Sequence, residues 1–317
     1  MKTIRTTLVI LGLTCFSVAP ASAGADTTSG APASGPTIHI GDVDLFYKIY
    51  DAAGGRPSAE QLQQDYIDVG SDGLRQFARV RNITGARIAD TLTKNPQLYV
   101  DAKRCMATLP RVRQRLVSAL RTLGELYPEA RFPPVTIAVG RGKPVGVGSP
   151  ATGVQIGLEA LCATHWLNPD VEDRFVYVIA HEFAHVQQAP ELVDKEHPTV
   201  LEGSLIEGAA EFVGELIAGR VAYSQFKAAT EGREKEIEAA FVADQDKTDV
   251  SAWLYNGTAE KPGDLGYWVG YRIARSYYQH ASDKRRALRD ILEMNDPKAF
   301  LGKSGWYPGI ELAGSGR

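Results

Sequence analysis

The sequence predicts an α+β fold in which an N-terminal helical segment precedes a small sheet and a group of long helices. Two short runs closed by glycine, Val135 to Gly140 and Gly153 to Leu158, read as strands. Leu109 to Leu126 places apolar residues near three- and four-residue spacing, which reads as a helix with one buried face. Ser58-Ala59-Glu60-Gln61 is a capping-box signature, a start signal for another helix.

In chain order, Lys2 and Arg5 stand ahead of an apolar run from Leu8 to Val18, and Ala21-Ser22-Ala23 follows it. That order fits a secretory signal cleaved after Ala23, with delivery to a bacterial periplasm or the extracellular space. The run is shorter than the roughly 20 residues that span a bilayer, so no stable membrane span is expected. Gly12-Leu13-Thr14 ahead of Cys15 is a poor lipoprotein cleavage box. Residues 24–36 are small, polar and rich in Pro and Gly, the composition of a disordered linker. Residues 37–131 form the helical N-terminal segment, and residues 132–317 the second region.

In that region the glycines of Gly142 to Pro150 run into a strand rather than a helix, so they read as a turn or flap rather than a phosphate cradle. Asn168-Pro169 suits a helix start, with the helix running to about Gln188 ahead of Pro190. Further helices are expected at Val200 to Ala218 and about Asp264 to His280, with a charged, solvated helix in Tyr223 to Asp244.

With 35 basic and 38 acidic residues and no concentrated basic face, nucleic acid is not an expected partner. Beyond the signal two cysteines remain, Cys105 and Cys162, too few for a cysteine-rich metal site. An oxidising compartment permits them to pair, and two separate buried thiols fit equally well. Nothing in the sequence sets an oligomeric state.

The chemistry concentrates in His181-Glu182-Phe183-Ala184-His185. Two histidines four residues apart project from one helical face and can share a metal ion, and the glutamate between them is placed to act as a general base. Catalytic zinc takes three protein ligands and keeps one position open. A third histidine is not at the HExxHxxGxxH spacing, because Gln188 and Glu191 occupy those positions, and His197 precedes Pro198 in a loop. Glu207, on the next long helix, is the better candidate. Gly203, Ala210 and Gly214 give that helix a small face for close approach. Glu211 lies one turn beyond Glu207 on the same face, placed to accept a hydrogen bond from a ligand histidine, the alternative being a solvent-facing charge.

HEFAH followed 22 residues later by the glutamate of EGAAEF resembles the gluzincin clan of metallopeptidases. Within that clan, about Phe132 to Trp306 resembles an uncharacterised bacterial family of predicted zinc-dependent proteases. The resemblance is carried by TIAVGRG, GVQIGLE, HEFAHVQQ, IEGAAEFVGELIAG, DLGYWVGYRIARSYY and AFLGKSGW. It implies a gluzincin-like catalytic region and a Zn2+ cofactor held by His181, His185 and Glu207. It implies a peptide or protein substrate, hydrolysed by a zinc-activated water with Glu182 as base. It also places Tyr267, in Tyr267-Trp268-Val269-Gly270, as the oxyanion donor, with Tyr271, Tyr277 and Tyr278 as competitors. Gly153, Val154, Gln155, Ile156 and Gly157 are expected to form an edge strand on which an extended peptide adds. Glu159 reads as a surface glutamate, and a faint likeness to an element that holds substrate amines is incomplete. A second function class, a non-cleaving zinc-bearing binding or chaperone-like protein of the cell envelope, fits the same ligands without using Glu182.

Overall fold

The computed structural model describes residues 37–258, 261 and 263–314; the expected signal and the linker at 24–36 lie outside the described residues. The N-terminal segment begins with a two-residue strand, β1 (Ile38–His39), which the helical reading of 37–131 did not include. Six helices follow: α1 (Gly41–Ala52), α2 (Ala59–Gln61, continued by a π-helical turn over Leu62–Ile67), α3 (Asp72–Arg81), α4 (Gly85–Lys94), α5 (Pro96–Cys105) and α6 (Leu109–Leu126). The capping box opens α2, with Gln61 N donating to Ser58 Oγ at 3.1 Å and Ser58 N donating to Gln61 Oε1 at 2.9 Å. Ser71 and Thr84 cap α3 and α4 by accepting from Leu74 N and Arg87 N, without the reciprocal bond.

Buried tyrosines fasten these helices to the sheet. Tyr66 donates its hydroxyl to Val139 O at 2.8 Å and Tyr99 to Gly140 O at 3.0 Å, both at the end of β2 (Val135–Ala138). Burial without such partners would cost each hydroxyl a hydrogen bond to water.

The remaining strands are β3 (Gly146–Ser149) and β4 (Gly153–Gly157), and the sheet order is β1-β2-β4-β3. β1 and β4 pair parallel to β2, and β3 pairs antiparallel to β4, with Val147 opposite Gln155. Two expectations change here. The segment read as a flap contains a strand, and Gly153–Gly157 is interior rather than an edge, because both of its sides are already paired. The edge strands are β1 and β3. Gly-Val-Gly-Ser has little strand propensity, which hides it in sequence. Its glycines are there for proximity: a Cβ at Gly148 would lie 2.1 Å from the carbonyl oxygen of Glu182.

The second half adds α7 (Leu158–Ala163), α8 (Val171–Gln187), α9 (Pro190–Val193), α10 (Val200–Ala218), α11 (Phe226–Thr230), α12 (Glu234–Asp244), α13 (Leu265–His280), α14 (Lys284–Leu292) and α15 (Pro297–Lys303). The cap of α8 is Asp170, which accepts from Asp173 N at 2.8 Å; Asn168 instead accepts from Asp170 N at 3.0 Å and shapes the turn before it. α10 is held at its start by a second capping box, Thr199 with Glu202, and stopped by Gly219 at φ 96°. The charged 223–244 segment is not wholly solvated, since Phe226, Ile237 and Phe241 are in the core.

α8 lies between β3 and α10, and α10 packs on α13. That last crossing is backbone to backbone: a Cβ at Gly270 would come 1.7 Å from Ser204 O, and one at Gly208 2.1 Å from Tyr271 N. Of the small face expected of α10, Gly214 lies against α8 at His181, whereas the residue that meets α13 is Gly208, outside the expected set.

A disulfide joins Cys105 to Cys162, with the Cα atoms 6.3 Å apart, tying α5 to α7. Glu159 is not at the surface. It is fully buried, and its carboxylate accepts from Gly140 N and Gly142 N, each at 2.9 Å, so it pins the chain leaving β2. No helix among the described residues is long and apolar enough to cross a membrane.

Candidate metal centre

α8 delivers His181, Glu182 and His185 from one face, and α10 brings Glu207 and Glu211 to meet them; all five are buried. His181 Nε2 and His185 Nε2 are 3.0 Å apart, and Glu207 Oε2 lies 3.3 Å from the first and 3.2 Å from the second. Four-coordinate zinc with bonds of roughly 2.0–2.1 Å separates its ligand atoms by about 3.3–3.4 Å, so this triangle is close to one face of that tetrahedron.

The outer nitrogens decide what the inner ones can do. His181 Nδ1 is 2.7 Å from Glu211 Oε1, and His185 Nδ1 is 2.7 Å from Gln188 Oε1. The Gln188 amide is itself fixed, because its Nε2 donates to Ile206 O on α10 at 2.7 Å. A neutral imidazole has one N–H, and with that proton on Nδ1 each Nε2 presents a lone pair. Three acceptors then converge with no proton among them, an arrangement that a cation relieves.

Without a metal, a proton takes the cation's place. Burial opposes a charge on His181, but the Glu207 and Glu211 carboxylates outweigh it and push the metal-free imidazole up to about 10. Burial likewise works against ionisation of Glu207, yet His185 and His181 hold its carboxyl well below the usual carboxylate range. Glu182 goes the other way: burial raises it, and the two histidines only partly offset this. Two buried carboxyls are thus driven apart in character. Glu207 stays an anion, and Glu182 is a stronger proton acceptor than a solvated glutamate.

A cleft of about 400 Å³ opens on these groups, bounded by Pro144 to Gly148 on β3 and its approach, by Tyr223, Tyr255 and Tyr267, and by Arg81 at the end of α3. Tyr267 lines it, its ring stacked at 15° and 6.3 Å on His181. The Tyr223 ring packs 4.9 Å from that of Tyr267. The competing tyrosines face elsewhere, Tyr271 donating to Glu215 at 2.6 Å and Tyr277 to Asp290 at 2.6 Å. Of Gly153–Gly157 none lines this cleft, and Glu159 does not either; β3 takes the place expected of β4.

Three groups escape the sequence reading. Gln188 carries no motif of its own, although its position three residues after His185 puts it one turn on, a spacing that could have flagged it. Tyr223 and Tyr255 reach the cleft from irregular segments, and no local pattern announces them.

The family profile described as "Predicted Zn-dependent protease (DUF2268)" matches residues 161–295. That stretch carries all three donors, Glu182, Glu211, Gln188 and the three cleft tyrosines. No curated protein and no solved structure is significantly similar to the chain.

Proposed function

We propose that this chain is a secreted zinc-dependent metallopeptidase of the gluzincin kind, with His181, His185 and Glu207 as metal ligands and Glu182 as general base. The observation that carries the reading is the convergence of three buried acceptor atoms, each histidine oriented by a partner on its far side. The similarity over residues 161–295 to a family described as a predicted Zn-dependent protease supports it. The Cys105–Cys162 disulfide supports an oxidising compartment, as the expected signal does.

When bound, zinc supplies a Lewis acid that polarises a carbonyl and acidifies water. The rest of the chemistry belongs to the chain. Glu182 takes a proton from the attacking water and passes it to the leaving amine, and burial favours this by raising its affinity for that proton. Glu211 and Gln188 hold the two imidazoles in the tautomer that leaves Nε2 free. The free edge of β3, lying along the cleft, offers backbone groups to an extended peptide. Tyr267 is proposed to donate its hydroxyl to the charge that develops on the carbonyl oxygen. Tyr267→Phe then slows turnover about 100-fold with zinc content intact, and an unchanged rate removes the role.

The experiment for the whole reading is zinc analysis of the purified protein, with cleavage profiling on a mixed peptide library with and without a chelator. Cleavage that depends on about one zinc per chain supports it. A protein that holds no zinc contradicts it.

A further inference from the structure

The two oxygens of Glu207 have different partners. Oε2 completes the triangle with the histidines, and Oε1 accepts a hydrogen bond from the hydroxyl of Tyr255 at 2.9 Å. Tyr255 reaches it from the segment between α12 and α13, in an unusual way. Its φ is 58°, in the left-handed region that a bulky side chain rarely enters. The conformation is clasped from its C-terminal side: Asn256 N donates to Asp264 Oδ1 and Asp264 N donates to Asn256 Oδ1, both at 2.7 Å, and Gly257 N also donates to Asp264 Oδ1, at 3.2 Å. Asp264 is itself at φ 56°, and a Cβ at Gly257 would lie 2.5 Å from Asp264 Oδ2, so the clasp is tight.

Burial of the ring does not account for this arrangement. Tyr255 is 69% exposed, the most exposed of the large apolar and aromatic side chains among the described residues, and its aromatic contact is an edge-on one with Tyr267 at 6.2 Å. The sheltered part is the hydroxyl. Strained backbone that persists beside a cleft, with little packing to reward it, points to the group it delivers.

We infer that Tyr255 is a positioning residue for the metal carboxylate. By occupying Oε1 it restricts Glu207 to presenting a single oxygen, Oε2, which leaves a coordination position open for the reaction. The inference rests on the zinc reading above, because it concerns how a ligand is held. It adds a residue that HExxH and the downstream glutamate do not specify.

The test is Tyr255→Phe, which removes the hydroxyl and keeps the ring. Zinc affinity is read by competition with a chromophoric chelator, and coordination by the visible absorption of the protein loaded with Co2+. Zinc binding is expected to weaken about 10–100-fold, as when a hydrogen-bond partner of a metal ligand is removed. The cobalt absorption is expected to weaken too, as a carboxylate that binds through both oxygens raises the coordination number. Asn256→Ala, which loosens the clasp and spares the hydroxyl, is expected to weaken zinc in the same direction, and to add little when Tyr255→Phe is already present. Wild-type affinity in Tyr255→Phe overturns the inference, as does weakened affinity with an unchanged cobalt spectrum. Wild-type protein that takes up no zinc overturns the metal reading and this inference with it, so the two failures are distinguishable.

Discussion

Gly146 on the edge strand lies against the side chain of Glu182 so closely that a Cβ there would sit 2.5 Å from Oε1. The atom it meets is the far end of a flexible side chain, so Gly146→Ala can fold by pushing the carboxylate aside. The variant is expected to keep its zinc and its unfolding midpoint while turnover falls by about 10–100-fold, since a displacement near 1 Å can cost that much. Steady-state kinetics beside metal analysis checks this. A normal rate would mean that Glu182 tolerates displacement and is not the base.

The crossing of α10 and α13 predicts a different kind of loss. At Gly270 and Gly208 the obstructing atoms are backbone, which cannot swing away. Gly270→Ala is expected to destabilise the protein by about 3 kcal/mol, the upper range for overpacking. It should also weaken zinc, because Glu207 neighbours the crossing. Urea unfolding measures the first and chelator competition the second.

The metal set is graded by position. His185→Ala or Glu207→Ala removes a donor atom and should abolish most zinc binding. Glu211→Ala or Gln188→Ala removes only the partner of an imidazole and should weaken zinc about 10–100-fold while leaving about one site per chain. If Glu211→Ala lost all zinc and Glu207→Ala kept it, the two carboxylates would have exchanged roles.

Metal and proton compete at His181. With the metal-free imidazole pushed up to about 10, the ring carries a proton at pH 7 to 8 that a metal must displace. Zinc uptake there should release about one proton per chain, and affinity should rise with pH up to about 10 and fall as pH drops. Titration calorimetry in buffers of differing ionisation enthalpy measures the proton count. Uptake with no proton released would mean that His181 is already neutral.

The parts of the site that repeat along a helix are legible in the sequence. HEFAH puts three functional side chains on one face of α8, and Glu207 and Glu211 follow from the same periodicity on α10, whose bounds are marked by Thr199 and Gly219. What is not legible depends on proximity between distant segments. β3 is a strand of glycines because α8 lies on it, so its composition reads as a loop. Glu159 reads as a surface charge because its partners, the amides of Gly140 and Gly142, lie across a turn of the chain. The pairing of Cys105 with Cys162 depends on how α5 and α7 meet, which spacing along the chain does not fix. Tyr255 is invisible for the same reason, since its role is set by a clasp between Asn256 and Asp264.

The most direct test of the account is Glu182→Gln, measured for zinc content and for hydrolysis of a peptide that the wild type cleaves. Glu182 touches the cleft but is not one of the three converging donors, so the amide should leave zinc and stability intact. Hydrolysis should fall to nearly nothing, because the attacking water loses its proton acceptor. Glu182→Gln that retains zinc and hydrolyses as fast as wild type would contradict the catalytic reading. So would a zinc-loaded wild type that cleaves no peptide while Glu182→Gln supports its cellular role equally well, which is the behaviour of a non-cleaving zinc-bearing protein of the cell envelope.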